Sequence, residues 1–179
     1  MSDRAVFLDR DGLLNQKAPE GEYIATWDEI EILPGVREAV ARLNEAGFRT
    51  FVVTNQRGIA LGKVQLNALL NIHQRLATCF REAGAVIEAI YYCPHDLPLE
   101  CACRKPEPGM LLRAAIEHKI DLRRSWMIGD SISDVEAGRR AGCRTVFISS
   151  RETICNAANL LARNLPDAVE KILHQPAVE

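Results

Sequence analysis

The sequence predicts an α/β fold, a Rossmann-like open parallel sheet with helices on both faces. Short apolar runs rich in Val, Ile and Phe recur along the chain, and amphipathic segments with helical spacing separate them. That alternation is what a parallel sheet assembled from β-α-β units requires. Several of the apolar runs also end in an acidic or hydroxyl residue followed by a polar or glycine-containing turn. In open sheets of this kind ligands bind beyond the carboxyl ends of the strands.

The runs are AVFLD (5–9), TFVVT (50–54), AIYYC (89–93), WMIGD (126–130) and TVFIS (145–149). They read as strands buried on both faces, because they are nearly continuous in apolar character rather than alternating. GVREAVARLNEAG (35–47) and VQLNALLNIHQRLATCFREAG (64–84) place apolar residues three and four apart, and Gly47 and Gly84 stand as helix stops. PGMLLRAAIEHK opens a further helix after Lys105, and Asp134 falls in the first turn of a helix that follows Asp130.

With 179 residues, 47% of them hydrophobic, the chain has the size and material for a single domain spanning 1–179. A formal net charge of -2 and the lack of any polybasic tract argue against a nucleic-acid partner. MSDRAVFLDRDG has no apolar signal-like region, and no run approaches the roughly 20 apolar residues of a spanning helix. The expectation is a cytoplasmic monomer without membrane association.

Three of the six cysteines, Cys93, Cys101 and Cys103, lie within eleven positions, which in a chain without an export signal favours metal over disulfides. Cys79, Cys143 and Cys155 read as small buried thiols. His73, His118 and His174 read as residues of polar helical faces with no chemistry assigned.

The strand ends carry the chemistry. Asp9 and Asp11 flank Arg10 and can face one site, while Gly12 lets the backbone turn. Thr54 and Asn55 offer a hydroxyl and an amide, and Lys105 a cation, which together suit a phosphate cradle. Asp130 and Asp134, facing the Asp9 pair, need a cation between them. Sparse hard oxygen ligands suit magnesium. Enzymes accelerate phosphate-monoester hydrolysis by up to about 10²¹-fold, whereas one general acid contributes roughly 10²- to 10⁴-fold. The reaction therefore calls for a nucleophile, a cation and a cradle acting together.

In order along the chain, D-x-D-G at Asp9 to Gly12, the hydroxyl at Thr54, Lys105, and G-D-x-x-x-D at Gly129 to Asp134 resemble the phosphatases of the haloacid dehalogenase superfamily. The resemblance implies that Asp9 attacks phosphorus and becomes an aspartyl-phosphate. Asp11 would protonate the leaving alkoxide and then activate water. Lys105 would neutralise charge, Thr54 and Asn55 would hold phosphoryl oxygens, and Asp130 would complete a magnesium shell with Asp9 and the Asp11 carbonyl. Asp134 either takes a direct part or orients Lys105.

LDRDGLLN, VVTNQRGIALG, YYCPH with CACRKPEPGM, and MIGDSISD are similar to the heptose-bisphosphate phosphatase group, close kin of bacterial histidinol phosphatases. That likeness implies a capless fold and a Cys₃His zinc site at Cys93, His95, Cys101 and Cys103. Four protein ligands leave no open position, so this zinc would be structural. Zinc binding of roughly 10 to 16 kcal/mol would order the loop that presents Arg104 and Lys105. The implied substrate is a small phosphorylated sugar, D-glycero-D-manno-heptose 1,7-bisphosphate losing its 7-phosphate on the way to lipopolysaccharide or S-layer sugars. The alternative is histidinol phosphate.

Departures from the group's pattern concern the substrate. Leu13 replaces the usual Thr or Val, and PEGEYI (19–24) keeps Gly21 and Tyr23 of a substrate loop but inserts Glu22. Ser131 stands where a cation is frequent, and Arg57 where a Ser is usual. Gly21, Tyr23, Gln56, Arg57 and Arg104 are taken as substrate contacts, with Arg57 and Arg104 gripping the second charged group.

Overall fold

The computed structural model describes residues 3–96, 101–149 and 155–175. Within them six parallel strands form one open sheet: β1 (Ala5–Leu8), β2 (Arg49–Asn55), β3 (Ala89–Cys93), β4 (Trp126–Gly129), β5 (Arg144–Ile148) and β6 (Leu160–Ala162). Their order is β3-β2-β1-β4-β5-β6. The chain builds outward from β1 to β3 and then returns to the other side of β1 for β4. The direction of winding therefore reverses beside β1, the position at which such sheets open a crevice at their carboxyl ends.

Among the described residues five α-helices cover the sheet: α1 (Val36–Glu45), α2 (Leu66–Glu82), α3 (Gly109–His118), α4 (Ile132–Ala141) and α5 (Leu165–Leu173). Alternation along β1 divides the packing. Val6 and Leu8 point into a core with Val40 and Leu43 of α1, Leu76 and Phe80 of α2, and Val169 of α5. Ala5 and Phe7 point to the other face, against Leu111 of α3 and Ala137 of α4. Each central strand is thus buried on both sides, which is why its sequence reads as a continuous apolar run.

The five expected strands are present with ends shifted by a residue or so. β6 and α5 were not anticipated: LLA is too short to give a periodic signal, and its place is set by pairing with β5. His73 corrects the expectation of a polar helical face, being only 6% exposed. Of the three cysteines read as buried, Cys143 is buried, whereas Cys79 and Cys155 are half-buried. Burial pushes the Cys143 thiol up to about 12. Among the described residues no helix is long and apolar enough to cross a membrane.

α4 carries Asp134 and lies tight on the sheet at Gly138, where an added Cβ would come within 2.6 Å of Met127 Cβ and 2.7 Å of Thr145 Cγ2. Both neighbours belong to strands that cannot retreat. Gly138→Ala is expected to cost about 1–3 kcal/mol by overpacking, measured as a lowered urea midpoint with unchanged m-value.

Candidate active site

The site lies beyond the ends of β1, β2 and β4. Asp9 follows β1, held by its N–H donating to the Ile128 carbonyl at 3.0 Å. Lys105 approaches from the loop before α3, 96 residues away in sequence, and its Nζ donates to Asp9 Oδ1 at 2.8 Å and to the Val53 carbonyl at 2.8 Å. Asp134 Oδ1 lies 2.6 Å from the same ammonium. Burial works against the Lys105 charge, but the Asp9 and Asp134 carboxylates overcome it and hold its pKa well above the lysine range.

Asp9 responds the opposite way. Burial and then the nearby Asp134 charge push its carboxyl up to about 6, against the pull of Lys105. Asp134 is fixed at both oxygens, since Oδ2 accepts from the Ser131 N–H at 3.1 Å in a capping box at the start of α4. It orients Lys105. The helix can press this close because Gly129 carries no side chain: an added Cβ there would fall 2.2 Å from Asp134 Oδ2.

Carboxylate oxygens of Asp9, Asp130 and Asp134 lie within 4.8 Å of one another. With Asp134 fully engaged, Asp9 and Asp130 are the members suited to a cation. Asp130 Oδ1 is buried without a hydrogen-bond partner, the condition of an oxygen that a hard divalent ion would satisfy. Asp130 Oδ2 pairs with Lys17 Nζ at 2.6 Å. Burial raises the Asp130 pKa in spite of that lysine. The two meet over Gly12, which has φ +92°, and a Cβ there would fall 2.2 Å from Asp130 Oδ2.

Asp11 is clamped rather than free. Arg10, 1% exposed, donates from Nε and Nη2 to Oδ1 at 3.1 and 3.0 Å and from Nη2 to Oδ2 at 2.9 Å. Asn15 Nδ2 reaches Oδ1, and Gln56 Nε2 reaches Oδ2, each at 3.0 Å. Behind them His73 Nε2 lies 3.3 Å from Arg10 Nη1. Burial first, then the Arg10 charge, drives the His73 pKa down to about 3, so the ring is neutral and accepts from the guanidinium.

The remaining candidates divide into two groups. Thr54 is buried with Oγ1 accepting from Gln56 at 2.8 Å. Both amide atoms of Asn55 are spent on the Lys105 backbone, Oδ1 accepting from its N–H and Nδ2 donating to its carbonyl at 3.0 Å each. The Asn55 side chain thus fixes the lysine loop, and Asn55 also lines the adjoining cavity. A cavity of about 290 Å³ is lined by Asp11, Lys17, Tyr23, Gln56, Arg57 and Arg104, among others. Gly21, exposed at φ +82°, is not part of that lining. Arg57 pairs with Asp96, and Arg104 Nη1 donates to the His95 carbonyl at 3.2 Å.

Cys93, His95, Cys101 and Cys103 converge in the loop that leads to Arg104. Their sulfur–sulfur separations are 3.1, 3.6 and 3.7 Å, and His95 Nδ1 lies 3.3 and 3.5 Å from two of the sulfurs. Bond lengths of about 2.3 Å to sulfur and 2.0–2.1 Å to nitrogen give tetrahedral edges of roughly 3.8 and 3.5 Å. The cluster therefore fits a four-coordinate metal. It is sealed against α3 by the Gly109 N–H donating to the Ala102 carbonyl at 2.9 Å, and a Cβ on Gly109 would fall 2.1 Å from that oxygen.

Lys17, Arg10, Asn15 and His73 had no signal in the sequence as site residues. Nothing in local spacing shows that Lys17 folds back to Asp130, or that His73 reaches Arg10 across 63 positions.

A parallel sheet with a buried Asp-Lys pair and an acidic cluster at its switch point defines the class. The chain belongs to the haloacid dehalogenase-like hydrolase family, which it matches over residues 2–142, so the family likeness read from the four motifs is borne out. Within that family it is 40% identical over 167 residues to the D-glycero-beta-D-manno-heptose-1,7-bisphosphate 7-phosphatase of Pseudomonas aeruginosa, spanning 93% of this chain and 90% of that protein. The Vibrio cholerae protein of the same name is 35% identical over 182 residues, 97% of this chain and 96% of the relative. The crystal structure of D,D-heptose 1,7-bisphosphate phosphatase from B. bronchiseptica, complexed with magnesium and phosphate, superposes with a TM-score of 0.86 at 31% identity, covering 97% of this chain and 99% of that one.

The raised pKa of Asp9 has a consequence for stability. A carboxyl near 6 in the folded chain and near 3.8 when unfolded binds its proton more tightly in the native state, so stability falls as pH rises from about 4 to 6. In metal-free protein, Asp9→Asn is expected to raise Tm at pH 7 and to lose that advantage towards pH 4, as followed by calorimetry.

Proposed function

We propose that the protein is a magnesium-dependent phosphatase that removes the 7-phosphate of D-glycero-D-manno-heptose 1,7-bisphosphate through an aspartyl-phosphate on Asp9. The observation that carries this reading is the Asp9 carboxylate, paired with the buried Lys105 at 2.8 Å and opening beside the unpartnered Asp130 oxygen. The relatives' names supply the substrate. A monomer working in the cytoplasm on a diffusible sugar phosphate, in the supply of lipopolysaccharide precursors, belongs to the same reading.

An Asp9 oxygen attacks phosphorus as the bond to the sugar oxygen breaks, and Asp11 hands its proton to the departing alkoxide. Asp11 then takes a proton from the water that attacks the aspartyl-phosphate, which releases inorganic phosphate and restores Asp9. Arg10, Asn15 and Gln56 keep the Asp11 carboxyl aimed through both halves. Thr54 and Asn55 hold phosphoryl oxygens, and Lys105 offsets their charge. Magnesium held by Asp9, Asp130 and the Asp11 carbonyl would neutralise the phosphoryl group. Tyr23, Gln56, Arg57 and Arg104 contact the rest of the substrate.

A structural zinc on Cys93, His95, Cys101 and Cys103 would fix the loop whose next two residues are Arg104 and Lys105. Asp134 acts through Lys105 and does not touch substrate.

Two measurements test this. Phosphate release should be fastest with a heptose 1,7-bisphosphate anomer in a panel that includes histidinol phosphate, and Asp9→Asn should lose about 10⁴- to 10⁶-fold in kcat. Preference for histidinol phosphate would move the reading to the kindred activity, and an active Asp9→Asn would remove the covalent mechanism. Metal analysis should find one zinc per chain, absent from Cys101→Ser, whose Tm should drop by more than about 5 °C.

A further inference from the structure

Lys17 is the cation whose position the family reading leaves unexplained. Lys105 and Arg10 are buried on fixed partners, Arg57 is on Asp96, and Arg104 is on the His95 carbonyl. Lys17 is 49% exposed, lines the cavity, and rests its ammonium on Asp130, the carboxylate whose other oxygen is unpartnered. Its stem crosses the bare backbone of Gly12, where a Cβ would fall 2.7 Å from Lys17 Cε. The side chain is therefore seated at the carboxylate that a divalent ion would use, yet half in solvent and free to leave.

Charge matching decides where the ammonium goes. Asp9, Asp130 and Asp134 set three carboxylates against the two ammonium groups of Lys105 and Lys17. A divalent cation added to that set turns a deficit of one positive charge into an excess of one. The displaced ammonium then has no carboxylate to return to at Asp130, while a phosphoryl dianion enters the same cavity within reach of a flexible four-carbon stem.

We propose that Lys17 is an exchangeable counter-ion: it neutralises Asp130 in the absence of a divalent cation, and once such a cation binds it moves onto the phosphoryl oxygens of the substrate. This rests on the phosphatase reading of the site and adds a phosphate-binding residue to it. Lys17 and the divalent cation compete for Asp130, whereas Lys17 and phosphate cooperate once the cation is bound. The exchange keeps the acidic cluster from standing uncompensated when metal is absent, and it adds a donor to the phosphoryl group only in the loaded site.

Lys17→Met, which keeps the stem and removes the charge, separates the two halves. Titration calorimetry with magnesium alone should show about threefold to fivefold tighter binding to the variant than to the native chain. With magnesium saturating, inorganic phosphate should bind about tenfold more weakly to the variant, and Lys17→Arg should recover most of that loss. Magnesium affinity that is unchanged or weaker in Lys17→Met overturns the competition. Phosphate affinity that is unchanged, whatever happens to magnesium, overturns the exchange. Neither binding measurement needs turnover of any sugar phosphate, so a wrong substrate assignment would appear in the substrate panel and leave these results standing.

Discussion

A buried ammonium group cannot be left without partners, and the packing around the strand ends is arranged to give Lys105 three of them. Taking a charge from water into a protein interior costs several kcal/mol unless opposite charge and hydrogen bonds replace the lost hydration. Asp9, Asp134 and the Val53 carbonyl make that replacement from the end of β1, from α4 and from β2. Each must be in register for the lysine to be tolerated. α4 is therefore pressed onto β4 with no room for a side chain at Gly129 or Gly138. The Asn55 amide brackets the Lys105 backbone from both sides for the same reason.

The arrangement does not balance its own charge. Three carboxylates crowd within reach of one divalent ion, and burial together with Asp134 raises Asp9 to about 6 even with Lys105 alongside. Such crowding disfavours the metal-free native state, and folding tolerates it because a large two-sided core lies beneath. It also leaves the site attractive to a divalent cation and to a phosphoryl group that brings its own oxygens. Electrostatic tension retained at a site in this way is what a preorganised catalyst requires.

The fold was legible because its buried strands are nearly pure apolar runs and its helices have clear amphipathic period. Asp9, Lys105 and the acidic turn were legible as a site because each sits within a few residues of a strand end or helix start, where local sequence dictates position. His73 was misread because it lies on a helix whose inner face was judged from apolar residues alone, and a polar residue reaching a buried guanidinium has no signature in spacing. Asn55 was read as a phosphate donor because an amide at a strand end suggests one, and only the fold shows that the same amide also brackets the Lys105 backbone. Lys17 was invisible because loop residues take their place from what the loop folds against.

These unforeseen residues share a pattern. Asp11 is held by Arg10, Asn15 and Gln56, Arg10 is backed by His73, and Asp130 is met by Lys17. None of them alters which bond is broken. They set how the reacting groups are aimed and how charge is distributed before substrate arrives, and they come from the loop after β1, the turn after β2 and the inner face of α2. The walls of the cavity come from the same two connections and from the cysteine-rich loop at Arg104. With reacting groups fixed by the sheet and walls supplied by loops, the proposed function leaves discrimination between one phosphorylated metabolite and another to Tyr23, Arg57 and Arg104 on the cavity wall. Substitutions there can change the substrate without disturbing the Asp9-Lys105 pair, because no core strand depends on them.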